Sequence, residues 1–327
     1  MSLKTKNVFL TGGAQGLGRS YIDALLAAGA RAFFIDINAT AGEKTEKELK
    51  EKYGKESVKF QVADCTNFPM FEEAFTAAVN FLGYVDLMVN NAGLMNESKY
   101  EEMIDLNFRT LVKGSFMAAE HMRKDKGGKG GRIINISSMA GLEDIMIVPV
   151  YSATKHAVRA FTSGLAMAPD IQQQGIEYGI LCPSPAATDM FMDIDDIKVR
   201  HLDSYPQHVR KAMMAPVECI QKGFMKLVSL DQMNGAILYA SHTELTFRKM
   251  DNVNLGETWP VKQEDCSTSA SKKLEMLLRH IEVIIQTRTS RGGHSNSCPG
   301  NVWTVWPTPE LKTGNGPLPL LILNGNR

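Results

Sequence analysis

The sequence predicts an α/β fold, a doubly wound parallel sheet in a single domain with a C-terminal extension, on three observations. Apolar runs of strand length alternate with helix-length amphipathic stretches from about residue 5 to residue 262. Most of these runs are continuous rather than alternating, as expected of strands buried on both faces. A group of glycines stands between the first run and the first helix, where such folds turn sharply.

The elements follow in order. "NVFLT" is the first strand and "GLGRSYIDALLAAGA" the first helix; "RAFFIDI", "VKFQVAD", "VDLMVNN", "GRIINIS", "GIEYGILCP" and "GAILYA" supply further strands. "EKTEKELKEKYGKE" mixes both signs of charge and reads as a solvated helix face. Past Lys262 the character changes. Leu274, Leu277, Leu278, Ile281, Ile284 and Ile285 share one face of an amphipathic helix, expected to dock on the core or on a second subunit. Lys272, Lys273 and Arg279 mix with Glu275 and Glu282 on its polar side, which argues against a membrane surface. Residues 289–327 are rich in Ser, Gly, Asn, Thr and Pro and are expected to be disordered, so the division is a domain over 1–262 and an extension over 263–327.

The 327 residues suffice for one large core, and 36 basic residues balance 36 acidic ones. That balance speaks against a nucleic-acid or acidic-membrane partner. Cys65, Cys182, Cys219, Cys266 and Cys298 are scattered without a C-x-x-C pair, so neither a metal site nor a disulfide framework is indicated. The start "MSLKTKNVFL" leads directly into a strand, and no window approaches the roughly 20 apolar residues of a membrane span. A soluble, cytoplasmic protein is expected.

The glycine turn holds Gly12, Gly16 and Gly18, with Gln15 and Leu17 between them. Side chains there would block the approach of a pyrophosphate, and the following helix offers free N–H groups and a positive dipole end. The spacing G-x-x-x-G-x-G differs from the dinucleotide fingerprint, and a tight structural turn would use the same glycines. Asp36 ends the next strand. Its carboxylate suits ribose hydroxyls and repels a 2′-phosphate, and Gln15 and Ile37 offer no compensating cation, so NAD is favoured over NADP. A solvated acid at a strand end is the plainer alternative.

Further along, Tyr151 and Lys155 in "YSATK" fall on one helix face. A phenol ionises near 10, so acting as a base at neutral pH needs about 4 kcal/mol of preferential phenolate stabilisation, which an ammonium and a cationic nicotinamide could largely supply. Most Tyr-x-x-x-Lys pairs are ordinary helix surface. Ser137 and Ser138 end a strand at the side where α/β sheets bind ligands, although serines there also start turns. The amides of "VNNAG" can hold backbone or cofactor, and Asn107 in "IDLNFRT" sits among apolar residues, so its amide must find backbone or water.

Together, Thr11-Gly12-x-x-x-Gly16-x-Gly18, Asn90-Asn91-Ala92-Gly93, Ser138 and Tyr151-x-x-x-Lys155 resemble the short-chain dehydrogenase/reductase family across nearly all of residues 5–262. Within the family the chain looks most like the branch of NAD-dependent 15-hydroxyprostaglandin dehydrogenases, through "TGGAQGLGR", Asp36, "NNAG", "ISSMAGL", "PVYSATKHAV" and "NGAI". The resemblance implies a Rossmann-type fold and a catalytic set of Asn107, Ser138, Tyr151 and Lys155. In it Tyr151 is the base, Lys155 lowers its pKa and binds the nicotinamide ribose, Ser138 orients the substrate oxygen, and Asn107 holds a relay water. Cofactor contacts are implied for Gly12, Gln15, Gly16, Leu17, Gly18, Asp36, Asn91, Tyr151 and Lys155, with Asp64 near the adenine and Thr188 near the carboxamide. A homodimer or homotetramer is implied, assembled through the long helices that carry Asn107 and Tyr151.

Two departures from the family pattern stand out. Pro183-Ser184-Pro185 replaces a Pro-Gly, and Val148 stands where the related prostaglandin dehydrogenases carry glutamine. The stretch "DMFMDIDDIKVRHLDSYPQHVRKAMMAP" occupies the place of a substrate lid, and Met190, Phe191, Met192, Met213 and Met214 suit a lipid-like alcohol or simply pack the lid. The expected function is NAD-dependent oxidation of a small hydrophobic secondary alcohol to its ketone. The alternative is a catalytically weak NAD-binding scaffold, favoured by the altered turn and the extension and opposed by the complete catalytic set. An NADPH carbonyl reductase is disfavoured by Asp36.

Overall fold

The computed structural model describes residues 4–192, 194–195, 198–202, 214–241 and 243–248. The expected helix around Leu274–Ile285 and the rest of the 263–327 extension lie outside the described residues.

Strands β1 (Asn7–Thr11), β2 (Arg31–Asp36), β3 (Val58–Val62), β4 (Leu87–Asn90), β5 (Gly131–Ile136), β6 (Ile176–Pro183) and β7 (Ala236–Ala240) pair in parallel. A further strand, β8 (Leu245–Arg248), closes the edge antiparallel to β7, giving the order β3-β2-β1-β4-β5-β6-β7-β8. The sheet is therefore mixed at one edge. The sequence pattern did not reveal β8, because its four residues are exposed or half-buried and form no apolar run.

Helices α1 (Gly16–Ala27), α2 (Ala39–Tyr53), α3 (Phe68–Leu82), α4 (Tyr100–Ile104), α5 (Leu111–Met122), α6 (Pro149–Ala166), α7 (Ile171–Gln174), α8 (Asp189–Met192) and α9 (Val217–Val228) make the connections. Asn38 and Asn67 cap α2 and α3, each side chain accepting the N–H three residues on, from Ala41 and Met70. Residues 105–110 form a π-helical turn between α4 and α5.

Alternation along each strand feeds two cores. Val8, Leu10 and Phe34 pack on one face with Ile22, Leu25 and Phe224. Phe9, Phe33 and Ile35 pack on the other with Phe71, Phe75 and Met88. Phe9 is fully buried, with Phe75 edge-on at 5.3 Å, and burying such a side chain contributes roughly 1.5–3 kcal/mol. Both faces being covered, the open ground for a ligand is at the carboxyl ends of the strands. Among the described residues no helix is long and apolar enough to cross a membrane.

Candidate active site

A cleft of about 1030 Å³ runs along those carboxyl ends, at the upper end of the range for small-molecule sites. Gly12, Gln15, Gly16, Leu17 and Gly18 form its floor at the β1–α1 turn. Gly12 has φ +72°, and a Cβ on it would lie 2.9 Å from the Ala92 Cα. Gly18 lets α1 sit against the turn, since a Cβ there would lie 2.0 Å from the Gly12 carbonyl oxygen. Gln15 caps α1 in extended backbone without a side-chain bond, so the first N–H groups of α1 are left to the cleft.

Asn91, the residue after β4, braces this turn. Its Nδ2 donates to the carbonyls of Thr11 (3.0 Å) and Gly12 (2.9 Å), while the Thr11 Oγ1 accepts from the N–H groups of Asn91 and Ala92, both at 3.1 Å. Asp36 lines the cleft beside the glycines and also builds it. One of its oxygens accepts the Ala14 N–H and the other the Asn38 N–H, each at 3.0 Å. Asp64 is exposed at the same end, its Oδ1 held by the N–H and hydroxyl of Thr66. Thr188 faces the floor from across the cleft, with its Cγ2 3.5 Å from where a Gly16 Cβ would stand.

At the other end lie Ser138, Tyr151 and Lys155. Ser138 follows β5 in extended backbone, and its hydroxyl accepts the Ala140 N–H at 3.2 Å. Ser137 has a structural task, donating to the Lys155 carbonyl at 2.8 Å. On α6, Lys155 donates to the Ile136 carbonyl at 3.1 Å and stands 5.6 Å from the centre of the Tyr151 ring. Burial pushes the Tyr151 phenol up to about 12, with the Ser138 hydroxyl pulling the other way, and brings the Lys155 ammonium down to about 8. The protein's own desolvation thus works against the phenolate.

Asn107 does not reach the cleft wall. It is wholly buried in the π-helical turn, where its Oδ1 accepts the Leu94 N–H at 2.7 Å and its Nδ2 donates to the Leu94 carbonyl (2.8 Å) and the Thr154 hydroxyl (3.2 Å). Backbone satisfies this amide. Gly93 separates it from the ammonium, since a Cβ there would lie 3.3 Å from the Asn107 Oδ1 and 3.5 Å from the Lys155 Nζ.

Ser184 settles into the altered turn without strain. Its N–H donates to the Ala240 carbonyl at 2.8 Å, and its backbone is not left-handed, so no glycine is required there. Beside Tyr151 opens a second, smaller cavity of about 80 Å³, in which Ser138 and Tyr151 are the polar side chains among the described lining residues. Val148, Phe191, Val199 and Met214 contribute apolar wall. Met190 borders the large cleft, Met192 is exposed, and Met213 lies outside the described residues. Glu97 was not foreseen from sequence. It is buried beside Tyr151 and accepts two backbone N–H groups of α6, a long-range pairing that leaves no periodic signal.

Known proteins resemble this chain in sequence and in fold. The family profile described as short chain dehydrogenase matches residues 6–198. The 15-hydroxyprostaglandin dehydrogenase [NAD(+)] of Rattus norvegicus is 33% identical over 245 residues, spanning 73% of this chain and 91% of that protein. The human enzyme of the same name is 31% identical over 243 residues, with 73% and 91% covered. A diacetyl reductase [(S)-acetoin forming] from Staphylococcus epidermidis is 35% identical over 208 residues, covering 61% of this chain and 79% of the reductase. Among solved structures, a short chain dehydrogenase/reductase from Burkholderia phymatum in complex with NAD superposes with a TM-score of 0.62 at 19% identity, covering 73% and 89%, a likeness of fold. The chain belongs to the short chain dehydrogenase family.

Proposed function

We propose that this protein oxidises a hydrophobic secondary alcohol to its ketone with NAD, using Tyr151 as the general base. The observation that carries the reading is the joining of two features in one cleft. A glycine turn with an acid at its rim lies at one end, and Tyr151, Ser138 and Lys155 lie at the other, where the apolar cavity opens.

The residues present fit a dinucleotide. The cleft has the volume, the floor is free of side chains where Gly12 and Gly18 require it, and Asp36 offers a carboxylate for ribose hydroxyls. The relatives named as NAD(+) enzymes point the same way. NAD, when bound, would supply a positively charged, hydride-accepting ring, held by the residues that line the cleft. The Tyr151 oxygen, once the phenol has given up its own proton, takes the proton from the alcohol oxygen, which the Ser138 hydroxyl orients by a hydrogen bond. Lys155, mostly protonated at neutral pH with a value of about 8, is the reading's source of positive charge for the phenolate, beside the Ser138 hydroxyl that already pulls the phenol down. Asn107 anchors Leu94 and Thr154 on either side of this group, which fixes the loop after β4 against α6.

The apolar lining of the smaller cavity favours alkyl or lipid-like groups on the carbinol carbon, because an unpaired polar group there would be desolvated without compensation. The competing scaffold reading drew on the Pro183-Ser184-Pro185 turn, and the unstrained backbone of Ser184 removes that support. The same reading includes a homodimer. Phe116 on α5 is 52% exposed and packs edge-on against Phe161 of α6, leaving an apolar face on the helix pair. Sedimentation at micromolar concentration, with Phe116→Asp as the disrupting variant, tests that part. The activity is tested by following nicotinamide reduction on secondary alcohols of rising chain length, with NAD and with NADP. Turnover with NAD that improves with chain length is expected, and its absence across the series would refute the proposal.

A further inference from the structure

Helix α6, which carries Tyr151 and Lys155, starts without a capping side chain of its own. Val148 is the N-cap and Pro149 the first helical residue. Pro149 has no N–H, and the Ser152 N–H reaches the Val148 carbonyl at 2.8 Å. Val150 and Tyr151 therefore hold the two donors that the helix itself leaves unmatched. Both go to one carboxylate far away in sequence, with Glu97 Oε2 accepting from Val150 at 3.2 Å and Glu97 Oε1 from Tyr151 at 3.0 Å.

Glu97 is only 6% exposed, and a buried carboxylate is unfavourable unless donors meet it. Two amides at the positive end of a helix are a strong match. The backbone that carries the carboxylate is itself held. Asn96 caps the short turn Glu97–Lys99 by accepting the Ser98 N–H at 3.0 Å, and the Glu97 N–H donates to the Lys198 carbonyl at 2.8 Å. Arg200 donates its N–H to the Ile147 carbonyl at 2.8 Å, just before α6. Val199, between those two attachments, lines the apolar cavity. One corner thus joins the loop after β4, the start of α6 and residues 198–200.

We propose that Glu97 is a positioning residue for Tyr151, fixing the first turn of α6 so that the phenol stays at the cleft wall; this rests on the reading of Tyr151 as the base. Because the bonded group is the main-chain N–H of Tyr151 itself, any slackening of the clamp moves the phenol directly. Displacements of about 1 Å at a reacting group can lower rates on the order of 100-fold. Two donors on one side require two acceptors. Glutamine has the shape but presents one carbonyl acceptor and one amide NH2 donor, so one of the two N–H groups would face another donor.

The test compares the full-length wild type with Glu97→Gln, Glu97→Asp and Tyr151→Phe. Three quantities are read: kcat on a secondary alcohol, the Kd for NAD, and the NMR signal of the Tyr151 ring in protein labelled on tyrosine, assigned by its loss in Tyr151→Phe. Glu97→Gln is expected to lower kcat at least about tenfold, with the Kd for NAD within about twofold of wild type and the Tyr151 signal displaced. Glu97→Asp keeps both acceptor oxygens on a shorter arm and is expected to recover part of the loss. An active wild type with unchanged kcat and an unmoved signal in Glu97→Gln would overturn the proposal, as would Glu97→Asp faring no better than Glu97→Gln. Should the wild type oxidise no alcohol, the functional reading fails by itself, and the ring signal still decides whether Glu97 sets the position of Tyr151.

Discussion

The Lys155 ammonium stands 5.6 Å from the centre of the Tyr151 ring and donates to the Ile136 carbonyl, which ties the end of β5 to the helix carrying both residues. Burial moves the two groups in opposite senses, the phenol up to about 12 and the ammonium down to about 8, because desolvation penalises the charged form of each. Bringing such a phenol to neutral pH calls for roughly 7 kcal/mol of preferential phenolate stabilisation, more than the free side chain would need.

Lys155→Met tests that tension. The folded pKa of Lys155 lies below its ordinary 10.5, so the folded chain holds this proton less tightly than the unfolded one. The destabilisation is fully present below about 8 and is relieved as pH rises towards 10.5. At neutral pH it amounts to at most about 3 kcal/mol, against about 1 kcal/mol lost with the bond to Ile136. Lys155→Met is therefore expected to be more stable by up to about 2 kcal/mol at neutral pH, with the gain vanishing in alkali, while turnover falls at least about 100-fold. Thermal unfolding at the two pH values, together with initial rates, checks both halves.

Asp36→Asn separates the two tasks of that carboxylate. The amide keeps one acceptor for either Ala14 or Asn38, so a loss of about 1–2 kcal/mol in stability is expected. Removal of the charge is expected to lower the NAD over NADP preference in kcat/KM by at least about tenfold. Steady-state kinetics with both cofactors would contradict the assignment if the preference stayed as it was.

Gly18→Ala probes the floor of the cleft. The added methyl would stand 2.0 Å from the Gly12 oxygen and 2.7 Å from the Asn91 Nδ2, which forces α1 away from the turn. An increase of at least about tenfold in the Kd for NAD and a loss of about 1–3 kcal/mol are expected. Calorimetric titration and denaturant unfolding report the two effects.

The parallel strands were legible because both faces are buried and each strand is a continuous apolar run. Strand β8 was not, since Leu245 and Phe247 are exposed at an edge and only pairing with β7 makes them a strand. The glycine turn and the Tyr151–Lys155 pair were legible through their conjunction with Asp36, Ser138 and the "NNAG" segment, since each spacing by itself had a plainer reading. Their supports were not. Asn91 spends its amide on Thr11 and Gly12, and Asp36 spends both oxygens on backbone, partnerships that depend on how the chain folds back. Asn107 showed as a buried amide needing a partner, and the fold supplies Leu94. Glu97 carries no signal in the sequence, and only the arrival of α6 makes it a cap.

The most direct test of Tyr151 as the base is the rate of NAD-dependent oxidation of a hydrophobic secondary alcohol by wild type and Tyr151→Phe, with NAD binding measured on both. Loss of at least about 1000-fold in kcat/KM with unchanged NAD affinity and unfolding temperature is the expected result. Turnover by Tyr151→Phe close to that of wild type would contradict the account.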